Sequence, residues 1–272
     1  MRNHPIATVL SAGTVPALFL LLGAAAPPSL PRAAAAATRA VAGSRAAAPE
    51  GTWGKAEQVP GTAALNTGGA AEVRSVSCGS AGNCGAGGTY GDRSGHGQAF
   101  VISEVNGTWG TARQVAGTLN TRGNAQIYTL SCGSPGNCGA GGYYRDSSGH
   151  YQAFVVTEHN GAWGRAREVA AALNTGGNAA IGSVSCASAG NCSAGGFYAG
   201  AAGHPRQLQA LVVDEVHGSW GNATEVPGTA ALNQGGNAVV ESVSCASARH
   251  CSAGGYYFHT SSIQQTFVAS KG

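Results

Sequence analysis

The chain has 272 residues, only 10% of them are charged, and its formal net charge is +3. This weak charge, with no basic stripe, argues against a nucleic-acid partner. Glycine is abundant, with 44 residues, and the single methionine is Met1. Such a composition favours short strands and tight turns over long helices, and the length is sufficient for one domain with a hydrophobic core.

The first residues predict a secretory signal peptide. Arg2 gives a weakly positive start, and residues 15–26 (VPALFLLLGAAA) form an apolar run that several Ala-x-Ala sites follow. This order is typical of export signals, and the run is shorter than the roughly 20 residues of a membrane-spanning helix. We expect a signal peptide over residues 1–38, an Ala-rich linker over residues 39–50, and a secreted, extracellular mature chain without a membrane span.

Residues 51–272 contain four copies of one unit. Tryptophan recurs every 54 to 57 residues, in phrases such as GTWGKAEQV and GAWGRAREV. A pair of cysteines separated by five residues also occurs four times, and each pair precedes Ala-Gly-Gly and an aromatic residue. Self-similarity at a fixed period indicates a repeat architecture.

Each unit predicts four short strands. In the first unit, one strand ends at Cys78, a second runs from Cys84 to Tyr90, and a third runs from Gln98 to Val105. An Asn-Gly or His-Gly turn then leads into a fourth strand that carries the tryptophan, and Asn-Gly between strand-like runs is a hairpin signal. A repeated four-stranded antiparallel meander of about 40–50 residues is typical of a β-propeller blade.

The phase of the repeat predicts a closed ring. The region opens with a tryptophan strand that no cysteine hairpin precedes, and it closes with a third strand that no tryptophan strand follows. We therefore expect an all-β fold, a β-propeller of four four-stranded antiparallel blades, in which the N-terminal strand (52–59) completes the last blade beside residues 263–270. Closure would remove an exposed sheet edge. The alternatives are an incomplete ring that dimerises to eight blades and an irregular stack of β-units.

The pattern SVSC-x5-C-x-A-x-G…NGTxW resembles the kelch-like repeats of secreted actinobacterial proteins, over about residues 51–272. The resemblance implies a β-propeller and export, and it implies no particular reaction. Kelch blades place Gly-Gly after the second strand and tryptophan in the fourth, as Gly87, Gly88 and Trp109 do here. The chain departs from the family in having four units, because kelch rings usually have more.

The eight cysteines are best explained as disulfides. Zinc sites usually have Cys-x2-Cys spacing with a second pair nearby, which these cysteine pairs lack, and a redox Cys-x-x-Cys motif is absent. A phosphate-binding loop is also excluded, because no Gly-Lys-Ser or Gly-Lys-Thr follows the glycines beside the cysteines. An even number of cysteines in an exported chain favours disulfides, and each pair flanks a five-residue turn. The predicted bridges are Cys78–Cys84, Cys132–Cys138, Cys186–Cys192 and Cys245–Cys251.

Recurring amide and aromatic side chains are the candidate ligand contacts. Aromatic faces suit sugar rings, but tyrosine and tryptophan at fixed strand positions also serve in packing. Asparagine near glycine equally serves in turns. Aromatic pairs follow Gly-Gly in three units, among them Tyr143 with Tyr144. The candidate ligand-binding residues are Asn124, Asn178, Asn237, Tyr90, Tyr144, Tyr198 and Tyr257.

The sequence favours a secreted, non-catalytic binding protein that recognises carbohydrate or a cell-surface polymer through repeated sites, which would bind with avidity. HExxH and G-x-S-x-G motifs are absent, and Glu104, Glu158 and Glu215 recur by position, which indicates a structural role. We expect no catalytic residue, metal or cofactor. The alternatives are an extracellular hydrolase or lyase with an axial active site, and a structural or protein-interaction ring.

Overall fold

The computed structural model describes residues 51–200 and 207–272. Residues 55–272 form one compact unit that consists almost entirely of β-strands. None of the helices in the described ranges has the length and apolar character needed to cross a membrane. The predicted signal peptide and linker, residues 1–50, lie outside the described residues.

Four antiparallel sheets follow one another along the chain, one for each sequence repeat. The first unit comprises α1 (Thr62–Leu65), β1 (Ala71–Ser80), β2 (Asn83–Gly91), β3 (Gly97–Val105), β4 (Thr108–Trp109) and β5 (Arg113–Val115). The second comprises β6 (Gln126–Ser134), β7 (Asn137–Arg145), β8 (Tyr151–His159), β9 (Ala162–Trp163) and β10 (Arg167–Glu168).

The third and fourth units repeat this order. The third comprises β11 (Ala179–Ser188), β12 (Asn191–Ala199), β13 (Leu208–Val216), β14 (Ser219–Trp220) and β15 (Thr224–Glu225). The fourth comprises α2 (Thr229–Leu232), β16 (Ala238–Ser247), β17 (His250–Thr260) and β18 (Ile263–Lys271). The all-β class and the four antiparallel sheets are thus confirmed, and the predicted fourth strand is divided into two short segments in the first three units.

All four predicted disulfides are present. Each joins directly opposite residues of the hairpin between the first and second strands, with Cα atoms 3.8–4.0 Å apart. On the loop-entropy model, a bridge across so short a loop stabilises the fold by about 2 kcal/mol. Cys138 and Cys192 are buried in the apolar clusters between units, and the buried Cys251 Sγ lies 3.2 Å from Ser193 Oγ of the preceding unit, so these bridges also contribute to the packing between units.

The two faces of each third strand pack in different apolar clusters, and one of these faces contacts the next sheet. Ala99 and Val101 of β3 contact the second unit, whereas Phe100 and Ile102 belong to the cluster on the opposite face. This division follows from the alternation of side chains along a strand. The third strand of each following unit is divided in the same way, so that every contact between units has its own apolar cluster.

Hydroxyl groups join the first strands of successive units. Ser75 Oγ accepts a hydrogen bond from the Leu130 N–H at 2.9 Å, and Ser77 Oγ accepts one from the Cys132 N–H at 3.0 Å. The same two positions of the second and third units serve the next unit in the same way. The recurring motif, Ser or Thr followed by x-Ser-Cys, therefore supplies the contact between units as well as the disulfide.

The predicted closure of the ring is not found. Among the described residues, 51–59 form no strand, and β18 pairs only with β17, so the fourth sheet has three strands. Val59 packs on the cluster of the first unit that contains Phe100. The Pro60 carbonyl accepts a hydrogen bond from the Ala112 N–H at 2.9 Å. Val115, Val169 and Val226 pack in the same way on the unit that follows each of them, so Val59 lies where the fourth strand of a preceding unit ends.

Candidate ligand-binding site

Three tyrosines of the second unit, Tyr128, Tyr143 and Tyr151, lie together and are called the tyrosine cluster here. The ring centroids of Tyr128 and Tyr143 are 5.2 Å apart, and those of Tyr143 and Tyr151 are 5.3 Å apart. These are the distances of favourable aromatic pairs. The Tyr128 side chain is 39% exposed, so the cluster presents an aromatic surface to solvent.

Strand geometry positions the cluster. Tyr128 is the extra residue of a β-bulge, because its neighbours Ile127 and Thr129 pair with consecutive glycines of β7 and leave Tyr128 without an opposite residue. Such bulges re-aim a side chain. Tyr143 lies opposite Gln126, and Tyr151 opens β8. Because the rings are attached to paired strands, the site is formed before any ligand arrives.

The bulge recurs in every unit, but its residue changes. The register shift lies at the same place in the first strand of all four units. The bulged residues are Arg74, Tyr128, Gly182 and Glu241. Tyrosine at the bulge is therefore particular to the second unit, and the other half-buried aromatic pair, Tyr256 with Phe258 in the fourth unit, has glutamate at its bulge.

Polar groups surround the tyrosine cluster. Asn124 Nδ2 donates to the Tyr151 hydroxyl at 3.2 Å, and the Tyr143 hydroxyl donates to Asn124 Oδ1 at 3.2 Å. The Arg145 guanidinium lies 5.8 Å from the centre of the Tyr151 ring, a cation–π distance. The site thus combines aromatic rings, an amide and a guanidinium group.

The Tyr143 hydroxyl remains neutral at physiological pH. Burial, with the neighbouring phenols of Tyr128 and Tyr151, raises the pKa of Tyr143 to about 12. A neutral phenol both donates and accepts hydrogen bonds. Chemically, the arrangement suits a ligand that has an apolar ring face and several hydroxyl groups.

The three predicted asparagines lie where consecutive units meet. Asn124, Asn178 and Asn237 each form an isolated parallel bridge with the first residues of the preceding unit's third strand. Asn124 also belongs to the tyrosine cluster, whereas its two counterparts lie in other units. The structure therefore brings one predicted asparagine to the candidate site.

The predicted tyrosines Tyr90, Tyr144 and Tyr198 are buried, and Tyr257 is half-buried against the core of the fourth unit. The Tyr144 hydroxyl donates to Glu168 Oε2 at 2.6 Å, and the Tyr198 hydroxyl makes the equivalent bond to a glutamate at 2.7 Å. Burial, followed by these carboxylates, raises the pKa of both phenols. The four residues lie in four different units, and their role as ligand contacts stays a prediction.

Sequence reasoning missed Tyr128, Tyr151 and Arg145, and it selected Tyr144 over Tyr143. Neighbouring residues of a strand point to opposite faces, and the ring of Tyr144 enters the core while that of Tyr143 joins the cluster. The feature of the sequence that could have indicated Tyr128 is a departure from the repeat, because only the second unit has tyrosine at the bulge position.

Aspartates cap the loops between second and third strands. Asp92 Oδ1 accepts hydrogen bonds from the Ser94 and His96 N–H groups, and Asp92 Oδ2 accepts one from Gln98 Nε2. The hydrogen bond from Gln98 is the main cause that lowers the pKa of Asp92. Asp146 caps the equivalent loop in the same way. Over the described ranges, no three His, Cys, Asp or Glu side chains converge as metal ligands would.

Two glutamates are buried between units. Glu158 and Glu215 are 1% and 2% exposed. Ser103 Oγ donates to Glu158 Oε1, and the same Ser103 Oγ accepts a hydrogen bond from Trp163 Nε1 at 2.8 Å. Thr157 Oγ1 forms the equivalent bond with Glu215 at 2.5 Å. Burial raises the pKa of both carboxyl groups.

The fourth unit replaces this arrangement with an ion pair. Lys271 occupies the glutamate position, Asp214 occupies the hydroxyl position, and Lys271 Nζ lies 2.8 Å from Asp214 Oδ1. The two residues change together, which indicates that this position serves the contact between units and not a reaction.

We expect Glu158→Gln to melt at a higher temperature than the wild type near neutral pH. A carboxyl whose pKa is raised on folding holds its proton more tightly in the folded state, so stability falls as pH rises between the unfolded and folded pKa values. Glutamine does not ionise, so the variant does not lose this stability as pH rises, and the difference in melting temperature between the variant and the wild type should shrink towards about pH 4. Melting curves across this range test it, with Glu104→Gln as the half-buried control. An advantage that grows at low pH would contradict the assignment.

The chain was compared with protein-family models and with curated proteins. No known protein-family model and no curated protein matches the chain. Its function is therefore inferred from the tyrosine cluster and the groups around it.

Proposed function

We propose that the chain is a secreted, non-catalytic binding protein that recognises a carbohydrate or a cell-surface polymer at the tyrosine cluster. The observation that carries this proposal is the exposed ring of Tyr128, packed beside Tyr143 in a site that Asn124 completes. Flat aromatic surfaces suit the faces of sugar rings, and neutral amide and phenol groups suit sugar hydroxyls.

Two further observations support parts of the proposal. Four disulfides in one domain are typical of proteins that fold in an oxidising compartment, as export requires. The rings are held by paired strands, so that little conformational entropy is lost when a ligand binds. The repeated sites expected from the sequence become one principal site, because the aromatic residue at the bulge occurs in one unit.

Tyr128→Ala should weaken glycan binding about tenfold, which corresponds to about 1.4 kcal/mol. The side chain is exposed, so the variant should fold normally. Calorimetric titration with oligomers of glucose, xylose and N-acetylglucosamine, chosen from a glycan array, gives the affinity. Tyr256→Ala removes the fourth-unit counterpart of Tyr143 and should leave the affinity unchanged. The proposal fails if the wild type binds no glycan or cell-wall polymer, or if both variants bind as it does.

A further inference from the structure

Each contact between consecutive units uses one pair of faces. The face directed to the following unit is called the trailing face, and the face directed to the preceding unit is called the leading face. At the first such contact, Ala99 and Val101 of the trailing face pack against Ile127 and Leu130 of the leading face. The described residues form four units with three contacts between them, so that one leading face and one trailing face have no partner unit among these residues.

Among the described residues, no unit covers the leading face of the first unit. Val76 is 56% exposed, and Val73 beside it is 38% exposed. The counterparts of Val76 in the other units are between 5% and 8% exposed; they are Leu130, Val184 and Val243. The first unit thus exposes apolar side chains at the positions that the other three units bury.

A cleft lies on the leading face of the first unit, at the place where the third strand of a preceding unit packs in the internal contacts. It has a volume of about 280 Å³, and residues 55 and 57–60 form one side of it. Its apolar lining on the sheet consists of Val73, Val76, Ala86, Ile102 and Trp109. The counterparts of these residues in the second unit surround Ala99 and Val101, so the cleft is the space that a preceding third strand would fill.

Over residues 51–200 and 207–272, nothing covers the trailing face of the fourth unit either. Val268 is 86% exposed, whereas its counterparts Val101 and Val155 are fully buried. Ser242 and Ser244 are exposed as well, at the positions whose hydroxyls bind the next unit elsewhere. The apolar side chain and the two hydroxyls needed for one more contact are therefore free.

The polar groups of the two free faces are complementary. Ser270 occupies the position of Ser103, and the groups that would meet it on the first unit are the Trp109 indole and the Glu104 carboxyl. This would reproduce the bonds that Ser103 makes to the tryptophan and glutamate of the second unit.

An amide of the leading face also lacks its partners. Asn120 Nδ2 donates to Gln98 Oε1 at 2.9 Å and to the Gly97 carbonyl at 3.0 Å. Its first-unit counterpart, Asn66, makes neither bond among the described residues. The fourth-unit counterpart of Gln98 is the exposed Gln265.

We propose that the trailing face of the fourth unit docks on the leading face of the first unit of a second copy of this chain, in the geometry of the internal contacts. The internal contacts show how a trailing face packs on a leading face. In the described residues, the leading face of the first unit and the trailing face of the fourth unit are both exposed, and neither covers the other. Val268 enters the cleft beside Val76, and the Ser242 and Ser244 hydroxyls accept the Val76 and Cys78 N–H groups. Such a head-to-tail interface joins unlike surfaces, and it forms rings or longer chains.

Sedimentation of the full chain with its disulfides formed tests this docking. The wild type should reach the mass of two or more copies as its concentration rises from about 1 to about 100 μM. Val76→Asp and Val268→Asp each place a charge on one free face, at an exposed position that folding tolerates, and each variant alone should remain monomeric. Val216→Asp, at an exposed strand end outside both faces, should associate as the wild type does.

A mixture of the two variants is the decisive arm. Val76→Asp retains a sound trailing face and Val268→Asp a sound leading face, so the mixture should form a dimer that neither variant forms alone. A wild type that stays monomeric overturns the proposal, and this result is the one expected if the two faces meet within one chain. Association that survives both substitutions, or a mixture that stays monomeric while the wild type associates, also overturns it.

Discussion

Gly142→Ala should destabilise the protein severely, by about 3 kcal/mol or more. A Cβ atom at Gly142 would lie 1.9 Å from the carbonyl oxygen of Gln126 and 2.9 Å from its carbonyl carbon. Both atoms belong to the backbone of the neighbouring strand, so no side chain can move to make room. The same close approach occurs in each of the other units, at Gly88, Gly196 and Gly255.

Gly182→Ala is the matched control. At that position the nearest atom to a new Cβ is the Val240 carbonyl oxygen at 3.7 Å, which is ordinary contact. Its effect should therefore stay within about 0.5 kcal/mol. Chemical denaturation of both variants gives the comparison, and equal midpoints for Gly142→Ala and the wild type would show that this close approach is absent.

Asn174→Ala is the second substitution with a large expected effect. Asn174 Nδ2 donates to the Tyr151 carbonyl at 2.8 Å and to Gln152 Oε1 at 2.7 Å, and Asn174 Oδ1 accepts from the Asn178 N–H at 2.8 Å. The residue is 5% exposed, so alanine leaves buried polar groups unpaired. We expect a loss of about 3 kcal/mol.

The repeat provides the control for this variant in the same chain. Asn66 occupies the equivalent position of the first unit, where none of the described residues supplies the carbonyl and the glutamine side chain that Asn174 Nδ2 binds. In dilute solution Asn66→Ala should cost less than about 1 kcal/mol. Equilibrium denaturation measures both values. Similar losses for Asn66→Ala and Asn174→Ala would mean that the bonds between units do not explain why this asparagine recurs.

The sequence was sufficient to predict the unit. The constant spacing of Cys78 and Cys84, and of each later pair, fixes two residues opposite each other in a hairpin, and this leaves one disulfide pattern. Glycine and β-branched residues between turn signals then predict the strands. These features depend on residues close together in the chain, and for that reason local patterns predict them.

Closure of the ring depended on residues that are far apart in the sequence. The phase of the repeat shows that residues 52–59 resemble a fourth strand, but it does not show which third strand they join. In the structure, Val59 packs on the first unit as Val115 packs on the second, but residues 51–59 form no strand and pair with no third strand among the described residues.

The tyrosine cluster was missed for a different reason. Repetition drew attention to positions that recur from unit to unit, such as Asn178 and Asn237, and those positions lie where consecutive units meet. The residues that distinguish one unit, such as Tyr128, lie where the repeat varies. In a molecule built from copies, variation at an exposed position indicates function better than recurrence does.

Amide hydrogen exchange of individual residues, measured by NMR, tests the central claim most directly. The claim is that one repeated contact joins the units, and that among the described residues the leading face of the first unit and the trailing face of the fourth unit have no partner. In dilute solution the Val76 and Cys78 N–H groups, which no hydroxyl of a described residue covers, should exchange fast. Their counterparts Leu130, Val184 and Val243 should exchange slowly, because a preceding hydroxyl accepts each N–H. Slow exchange of Val76, equal to that of Leu130 and independent of protein concentration, would contradict the account.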